Sequence, residues 1–180
     1  MMESDGGEGV VLACACRPPS SNNETAKRQE RFGAALETSY EKAGRPRMEG
    51  LLYGVVCWFI IGYLPGQHPD ADNISKGVWD ILSDRKPGDA VSRYRLGAYA
   101  DDKQATVRMA GIFDLISGDG DAPALSSLDI GSFPTHVLQQ LESMAGDAVP
   151  GKPLNRHLTY IRFGRLSAAA YNLSPLGGVP

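Results

Sequence analysis

Apolar positions along the 180-residue chain follow two periods, and the change from one to the other marks out the elements. Val10 to Arg17 predicts a strand, stopped by Pro18-Pro19. After Ser20 to Asn23, a stretch of capping residues, Phe32, Leu36 and Tyr40 recur at i, i+4 and i+8. That spacing predicts a helix over 24–42, ended by Gly44. Leu51 to Leu64 is apolar throughout and rich in Val, Tyr, Trp, Phe and Ile, the composition of a buried strand. The turn Pro65-Gly66-Gln67-His68-Pro69 follows. Ile74, Val78, Ile81 and Leu82 then make one apolar stripe at i, i+4, i+7 and i+8, which predicts a helix over 73–83 capped by Asp72 or Asn73 and closed before Pro87-Gly88.

Beyond that helix the pattern weakens. Asp84 to Asp89 is polar turn, and Val91 to Tyr99 is strand or irregular. Ala105 to Ile116 predicts a strand that buries Val107, Met109 and Ile112 to Leu115. Ser117 to Asp121 is a turn. Ser132 or Thr135 caps a helix running through Met144, with Val137, Leu138 and Leu141 as its apolar face. Leu158 to Leu166 predicts a last strand, and the Gly/Pro-rich tail from Leu173 is loose. Strands alternating with helices point to an α/β or mixed α+β fold, a small mixed sheet of about four or five strands with the helices packed on it.

Composition excludes several classes. The apolar stretch of residues 51–64 is shorter than the ~20 residues a membrane-spanning helix requires. Glu3, Asp5 and Glu8, with no early Lys or Arg, are unlike the start of a signal peptide. Cys14, Cys16 and Cys57 form neither a paired framework nor a zinc-binding pattern and read as reduced thiols. A soluble, cytoplasmic protein is expected. The formal net charge of −3 opposes a polyanionic partner, but the distribution does not. Residues 148–180 carry Lys152, Arg156, Arg162 and Arg165 with no acid. Arg45 and Arg47 make a second basic point, and Arg93, Arg95, Lys103 and Arg108 flank Asp101-Asp102. Contacts to a phosphate backbone need such residues.

Candidate chemistry concentrates between Pro69 and Gln104. Asp70 and Asp72, one residue apart at the mouth of a predicted helix, suit a hard divalent cation, which takes carboxylate oxygens and keeps water or substrate phosphates as its other ligands. Lys76 lies one turn on. Asn73, Lys76 and Asp80 share a face distinct from the apolar stripe. Asp101-Asp102 supplies a second acidic pair. Simpler uses exist: a turn and an N-cap for Asp70 and Asp72, an i,i+4 pair with Asp80 for Lys76, solvated loop charges for Asp101 and Asp102. A calcium loop fails on spacing, because Ile74, Ser75 and Ile81 occupy positions that need a ligand, a glycine and a glutamate. Trp79 reads as a packing or dimer-contact residue. His68, His136 and His157 are isolated and read as surface or hydrogen-bonded core.

The run Pro69-Asp70-x-Asp72-Asn73-Ile74-x-Lys76-x-x-x-Asp80-x-Leu82, followed by Asp101-Asp102-x-Gln104, resembles the signature of RusA-type Holliday junction resolvases. The resemblance implies a Mg²⁺-dependent homodimeric endonuclease, with Mn²⁺ as a substitute, that cuts branched DNA. It implies metal binding by Asp70, Asp72 and Asp102, catalysis by those three with Lys76, and support from Asn73, Asp80, Asp101 and Gln104. Arg45, Arg47, Lys103, Arg108, Arg162 and Arg165 are the DNA-binding candidates. On this reading residues 9–121 form a RusA-like nuclease domain and 122–180 a C-terminal extension to which nothing of the family carries over. Two other readings stay open: a catalytically silent DNA-binding or assembly protein of the same fold, and a metal-dependent hydrolase of another phosphodiester.

Overall fold

A computed structural model of the chain describes residues 9–20, 26–61, 70–84, 94–115, 134–146 and 156–166. Its four strands are β1 (Gly9–Cys14), β2 (Leu52–Ile61), β3 (Ala105–Leu115) and β4 (Arg156–Arg165), and its helices are α1 (Ala26–Lys42), α2 (Ala71–Leu82) and α3 (Thr135–Gly146). The strands form one mixed sheet in the order β1-β4-β2-β3. β4 runs antiparallel to both neighbours, whereas β2 and β3 are parallel. A parallel neighbour demands a crossover, and the intervening chain supplies it with α2. The expected mixed α+β architecture is therefore present, with four strands and three helices described.

Alternation along β2 divides the core. Val56, Trp58 and Ile60 face one way, with Phe32, Leu36 and Tyr40 of α1 and Ile74, Val78, Ile81 and Leu82 of α2. Cys57 and Phe59 face the other way, with Val137 and Leu141 of α3 and Leu158 and Tyr160 of β4. Both apolar stripes predicted for the first two helices are thus the buried ones. Two glycines permit close approach. A Cβ at Gly54 would stand 2.0 Å from the Trp79 indole, and one at Gly77 would stand 2.6 Å from the Pro19 carbonyl oxygen. Trp79, late in α2, therefore lies over the beginning of β2, so the helix runs back along the strand that precedes it.

Several expectations need correcting. β4 comes from the stretch expected to be an extension, yet it lies between β1 and β2. Residues 9–121 do not build the described sheet by themselves, because β4 from the later stretch is one of its inner strands. β1 ends at Cys14 and not at Arg17, since Cys16 lies in a bend where its carbonyl accepts a hydrogen bond from the Thr159 hydroxyl at 2.7 Å. The helix expected over 73–83 begins two residues earlier, because Asp70 is its N-cap. Val107 and Met109 are exposed (42% and 56%) and not buried. They sit on an edge strand, on the α3 side of the sheet, as their partners Tyr53 and Val55 show. The turns expected at 65–69, 85–89 and 117–121, Ser132, His68 and both tails lie outside the described residues.

Burial also settles the thiols. Cys14 and Cys57 are buried and all three cysteines are free. Desolvation pushes the Cys57 thiol up to about 11 and raises that of Cys14 further, so both stay protonated and inert. Among the described residues no helix is long and apolar enough to cross a membrane.

Candidate functional site

The sheet has two ends, and the candidate residues divide between them. At one, which we call the Arg156 end, β1 and β2 finish and β4 begins, with Ile61 opposite Arg156 and Cys14 opposite Thr159. At the other, the Arg165 end, β2 and β3 begin and β4 finishes, with Leu52 paired to both Ala105 and Arg165.

Asp70 caps α2. Its backbone is extended (φ −68°, ψ 162°), and its Oδ1 accepts the Asn73 N–H at 2.9 Å. Such a cap satisfies one of the donors that every helix N-terminus leaves unpaired, and an acid there also suits the helix dipole. Asp72 in the first turn and Lys76 one turn on are exposed. Lys76 forms no ion pair among the described residues. The opposite face of α2 is wholly committed to the core. Asp70, Asp72 and Lys76 are therefore displayed on a helix whose position is fixed by packing. Asp80 is half-buried nearer the far end. Burial lowers the pKa of the neighbouring Arg95 guanidinium, an effect that the Asp80 charge opposes.

The second acidic pair is held elsewhere. The C-terminal end of α2 is tied to the irregular segment 94–99: Leu96 N–H donates to the Ile81 carbonyl (2.9 Å), Ala98 N–H to that of Leu82 (2.8 Å), and the Tyr99 hydroxyl to that of Trp79 (2.6 Å). Asp101 follows directly. Gln104 staples this loop, accepting the Ala100 and Asp101 N–H groups at Oε1 (2.8 and 3.1 Å) and donating from Nε2 to the Gly50 carbonyl (3.0 Å). Asp101 Oδ1 accepts the Lys103 N–H at 3.0 Å. Asp102 opens the short 3-10 turn Asp102–Gln104 that leads into β3. The pair thus belongs to the Arg165 end, whereas Asp70 begins a 12-residue helix that finishes there. At 1.5 Å per residue that helix separates them by roughly 18 Å. Within one chain Asp70, Asp72 and Lys76 occupy the cap and first two turns of α2, and Asp101-Asp102 lie beyond its other end. Correspondingly, the described residues contain no group of three or more His, Cys, Asp or Glu placed to share an ion.

The basic candidates have different surroundings. Arg45 reaches Glu37 and Glu41 at 2.7 Å each, and Arg47 reaches Asp84 at 2.9 Å. Glu37 also accepts a short hydrogen bond from the Tyr94 hydroxyl. That bond, with help from Arg45, holds the Glu37 carboxyl below its usual pKa and pushes the Tyr94 phenol up to about 12. Lys103, Arg108 and Arg165 are exposed and Arg162 is partly so. Trp79 is fully buried and donates to Ser75 Oγ at 3.0 Å, so it is a packing residue. Sequence reasoning passed over Arg17, Arg28 and Arg31. The available signal was the spacing of Arg28 and Arg31, i and i+3 on a helix with no acid in its first turn.

Compared with family models, with curated proteins and with solved structures, the chain finds no match.

Proposed function

We propose that the protein is a Mg²⁺-dependent, structure-selective DNA endonuclease that resolves Holliday junctions as a homodimer. The observation that carries this reading is the acid–acid–lysine face of α2. Asp72 and Lys76 are exposed on successive turns after the capping carboxylate of Asp70, while Ile74, Val78, Trp79, Ile81 and Leu82 are buried. Two carboxylates on one helical turn fit Mg²⁺, which is ordinarily held by one or two carboxylates with water and substrate phosphate completing its shell. Mn²⁺ would serve the same donors. When bound, the ion supplies an activated water and neutralises charge at the phosphate under attack. Lys76 contributes a positive charge beside the scissile phosphate and stabilises the more highly charged transition state. Asn73 and the Asp70 cap keep the first turn of α2 rigid, which fixes the carboxylates relative to the lysine.

Asp102 enters this reading from a second copy. Because ~18 Å of helix separates the two acidic pairs, a site that uses both must take Asp101-Asp102 from the other chain of a two-fold dimer, with Asp80 and Gln104 as internal supports. Exposed Leu51, Val107 and Met109 (42–56%) lie at the Arg165 end or on its edge strand, where a partner would cover them. Lys103, Arg108, Arg162 and Arg165 are the cations this reading assigns to DNA.

The separation of the acids also favours a second reading, a DNA-binding or assembly protein that keeps the fold without cleaving. Incubation of the purified chain with four-way, duplex and single-stranded DNA, with and without Mg²⁺, separates the two. Symmetric nicking of the four-way substrate only with Mg²⁺ supports the endonuclease, and retention without cleavage under every condition supports the second reading.

A further inference from the structure

The two edges of the sheet are finished differently. β1, at one edge, is six residues long, and α1 packs against it. The Ala13 N–H donates to Ser39 Oγ of α1 at 3.1 Å, so a helix side chain takes up a backbone donor of that strand. β3, at the other edge, is 11 residues long and, among the described residues, has β2 as its one strand neighbour. Leu52 pairs with Ala105 and Tyr53 with Val107, so Thr106 is an extra residue; from Val107 the register runs unbroken to Leu115. Edge strands are ordinarily blunted by shortness, by proline, by an inserted residue or by charge. On β3 the inserted residue comes at the very start, where it leaves the later pairing regular, and no proline follows. Val107, Arg108 and Met109, the first residues of the regular part, are all exposed, with Val107 and Met109 together on the α3 side of the sheet.

We propose that this edge is the homodimer interface: β3 pairs antiparallel with β3 of a second copy about a two-fold axis near Met109, joining the two sheets edge to edge. The inference deepens the function proposed above and rests on it for the use of Asp102 from a second chain. Three features select a second copy as the occupant. A two-fold axis lets one open strand satisfy its own outer N–H and C=O groups, because the same strand supplies both sides. With the axis at Met109, Val107 and Met109 of both copies make one apolar stripe, and Arg108 stands opposite the partner's Ala110, so no like charges face each other directly. Direction is the third feature. β3 begins at the Arg165 end, so antiparallel pairing sends the start of the partner's β3 toward the Arg156 end. The partner's Asp101-Asp102, which lead into that strand, thereby move away from the end where α2 finishes and toward the carboxylates at its start. α2 packs against β3, so this approach is made beside the strand that the helix covers. A parallel pairing would keep each acidic pair at its own end.

Sedimentation velocity of the full chain, without DNA or metal, tests the interface apart from the chemistry. Val107→Lys with Met109→Lys alters two exposed side chains, which spares the fold and sets lysines from both copies against one another. Ala34→Lys with Thr38→Lys adds the same charge at exposed positions of α1, the helix packed on the other edge. We expect the native chain and the α1 variant to sediment at twice the 19.3 kDa chain mass. The β3 variant should dissociate at least about tenfold more readily. Hydrogen exchange gives a second readout that needs no variant: alternate amides between Val107 and Gly111 should exchange more slowly in the native dimer than after dilution to monomer. A native dimer that the β3 lysines leave intact, or whose β3 amides exchange alike before and after dilution, would overturn the edge pairing and leave the endonuclease reading standing. A native chain that stays monomeric at every concentration would overturn it too, and cleavage by that monomer would also remove the two-chain site. A native dimer that the β3 lysines dissociate but that leaves junctions uncut in Mg²⁺ would uphold the interface and remove the nuclease.

Discussion

The two ends of the sheet carry the same kinds of residue and use them differently. At the Arg165 end charged and polar side chains are spent on the protein itself: Arg45 pairs with Glu37 and Glu41, Arg47 with Asp84, and Gln104 staples the loop that holds Asp101. At the Arg156 end Arg17, Arg28, Arg31 and Arg156 line a cavity, and along the solvent face of α2 Asp70, Asp72 and Lys76 are displayed over a packed apolar stripe. The contrast shows that a count of basic residues does not locate a binding surface. Exposed ion pairs stabilise by only a few tenths of a kcal/mol to about 1 kcal/mol each, but they occupy the guanidinium. Arg45 and Arg47, the arginines most conspicuous in the sequence, are occupied in this way.

The largest expected effect comes from removing what the two ends share. β4 spans the sheet from Arg156 to Arg165 and pairs on both sides. Deleting residues 148–180 therefore removes a central strand, with Leu158, Ile161 and Phe163 from the two cores. We expect loss of the cooperative thermal transition by circular dichroism and an insoluble product, since no edge strand can replace it. A soluble truncated chain with a sharp melt would mean that β4 is dispensable and that the ends are independent.

Substitutions specific to each end should separate stability from function. Gln104→Ala removes three hydrogen bonds from the Arg165-end loop and should destabilise by about 1–3 kcal/mol in urea titrations. Asp72→Asn at the exposed start of α2 should shift the urea midpoint negligibly while abolishing Mg²⁺-dependent cleavage and sparing or strengthening junction binding. Equal stability losses in the two variants would erase the distinction between the ends. Lys76→Met should likewise leave stability nearly unchanged and lower the cleavage rate by more than about tenfold.

A smaller effect tests the ion pairs alone. The Glu37 carboxyl is held below its ordinary value of 4.5 by Tyr94 first and Arg45 second. A depressed carboxyl contributes stability above its unfolded pKa and loses it as pH falls through the folded one. Glu37→Gln should accordingly be slightly less stable than the native chain at neutral pH, and the gap should narrow as pH falls below the ordinary carboxyl value of 4.5. A gap that persists at low pH would assign the loss to packing.

Periodicity made much of the fold legible and little of the assembly. The i, i+4, i+7, i+8 stripe of α2 and the Phe32–Leu36–Tyr40 stripe of α1 are buried as their spacing requires, because burying one face is a local consequence of helical geometry. Strand order is not local. Nothing in the alternation of residues 158–166 tells a central strand from an appended one, so β4 was assigned to an extension. The same blindness put Val107 and Met109 in the core, since alternation does not say whether a face of an edge strand is covered. In the candidate site, Asp70, Asp72 and Lys76 fall on the cap and first two turns of one helix, as their adjacency in sequence requires. The join to Asp101-Asp102 failed within one chain, because the length of α2 lies between them. Arg17, Arg28, Arg31, Arg156 and His157 meet only through the tertiary fold.

Mixing two inactive variants tests the central claim, that the acid–lysine face of α2 forms a metal-dependent nuclease site completed by the other chain. Asp72→Asn and Asp102→Asn should each fail to cleave a four-way junction in Mg²⁺. In a two-fold dimer the hybrid retains one site with native Asp72 from one chain and native Asp102 from the other. Co-refolded in equal amounts, the pair should recover about one quarter of the native site count, half the dimers being hybrids with one intact site of two, and nick one strand per junction. A mixture as inactive as its parents, beside an active native protein, would contradict the shared site. A native protein that binds the junction and leaves it uncut in Mg²⁺ and in Mn²⁺ would contradict the nuclease itself.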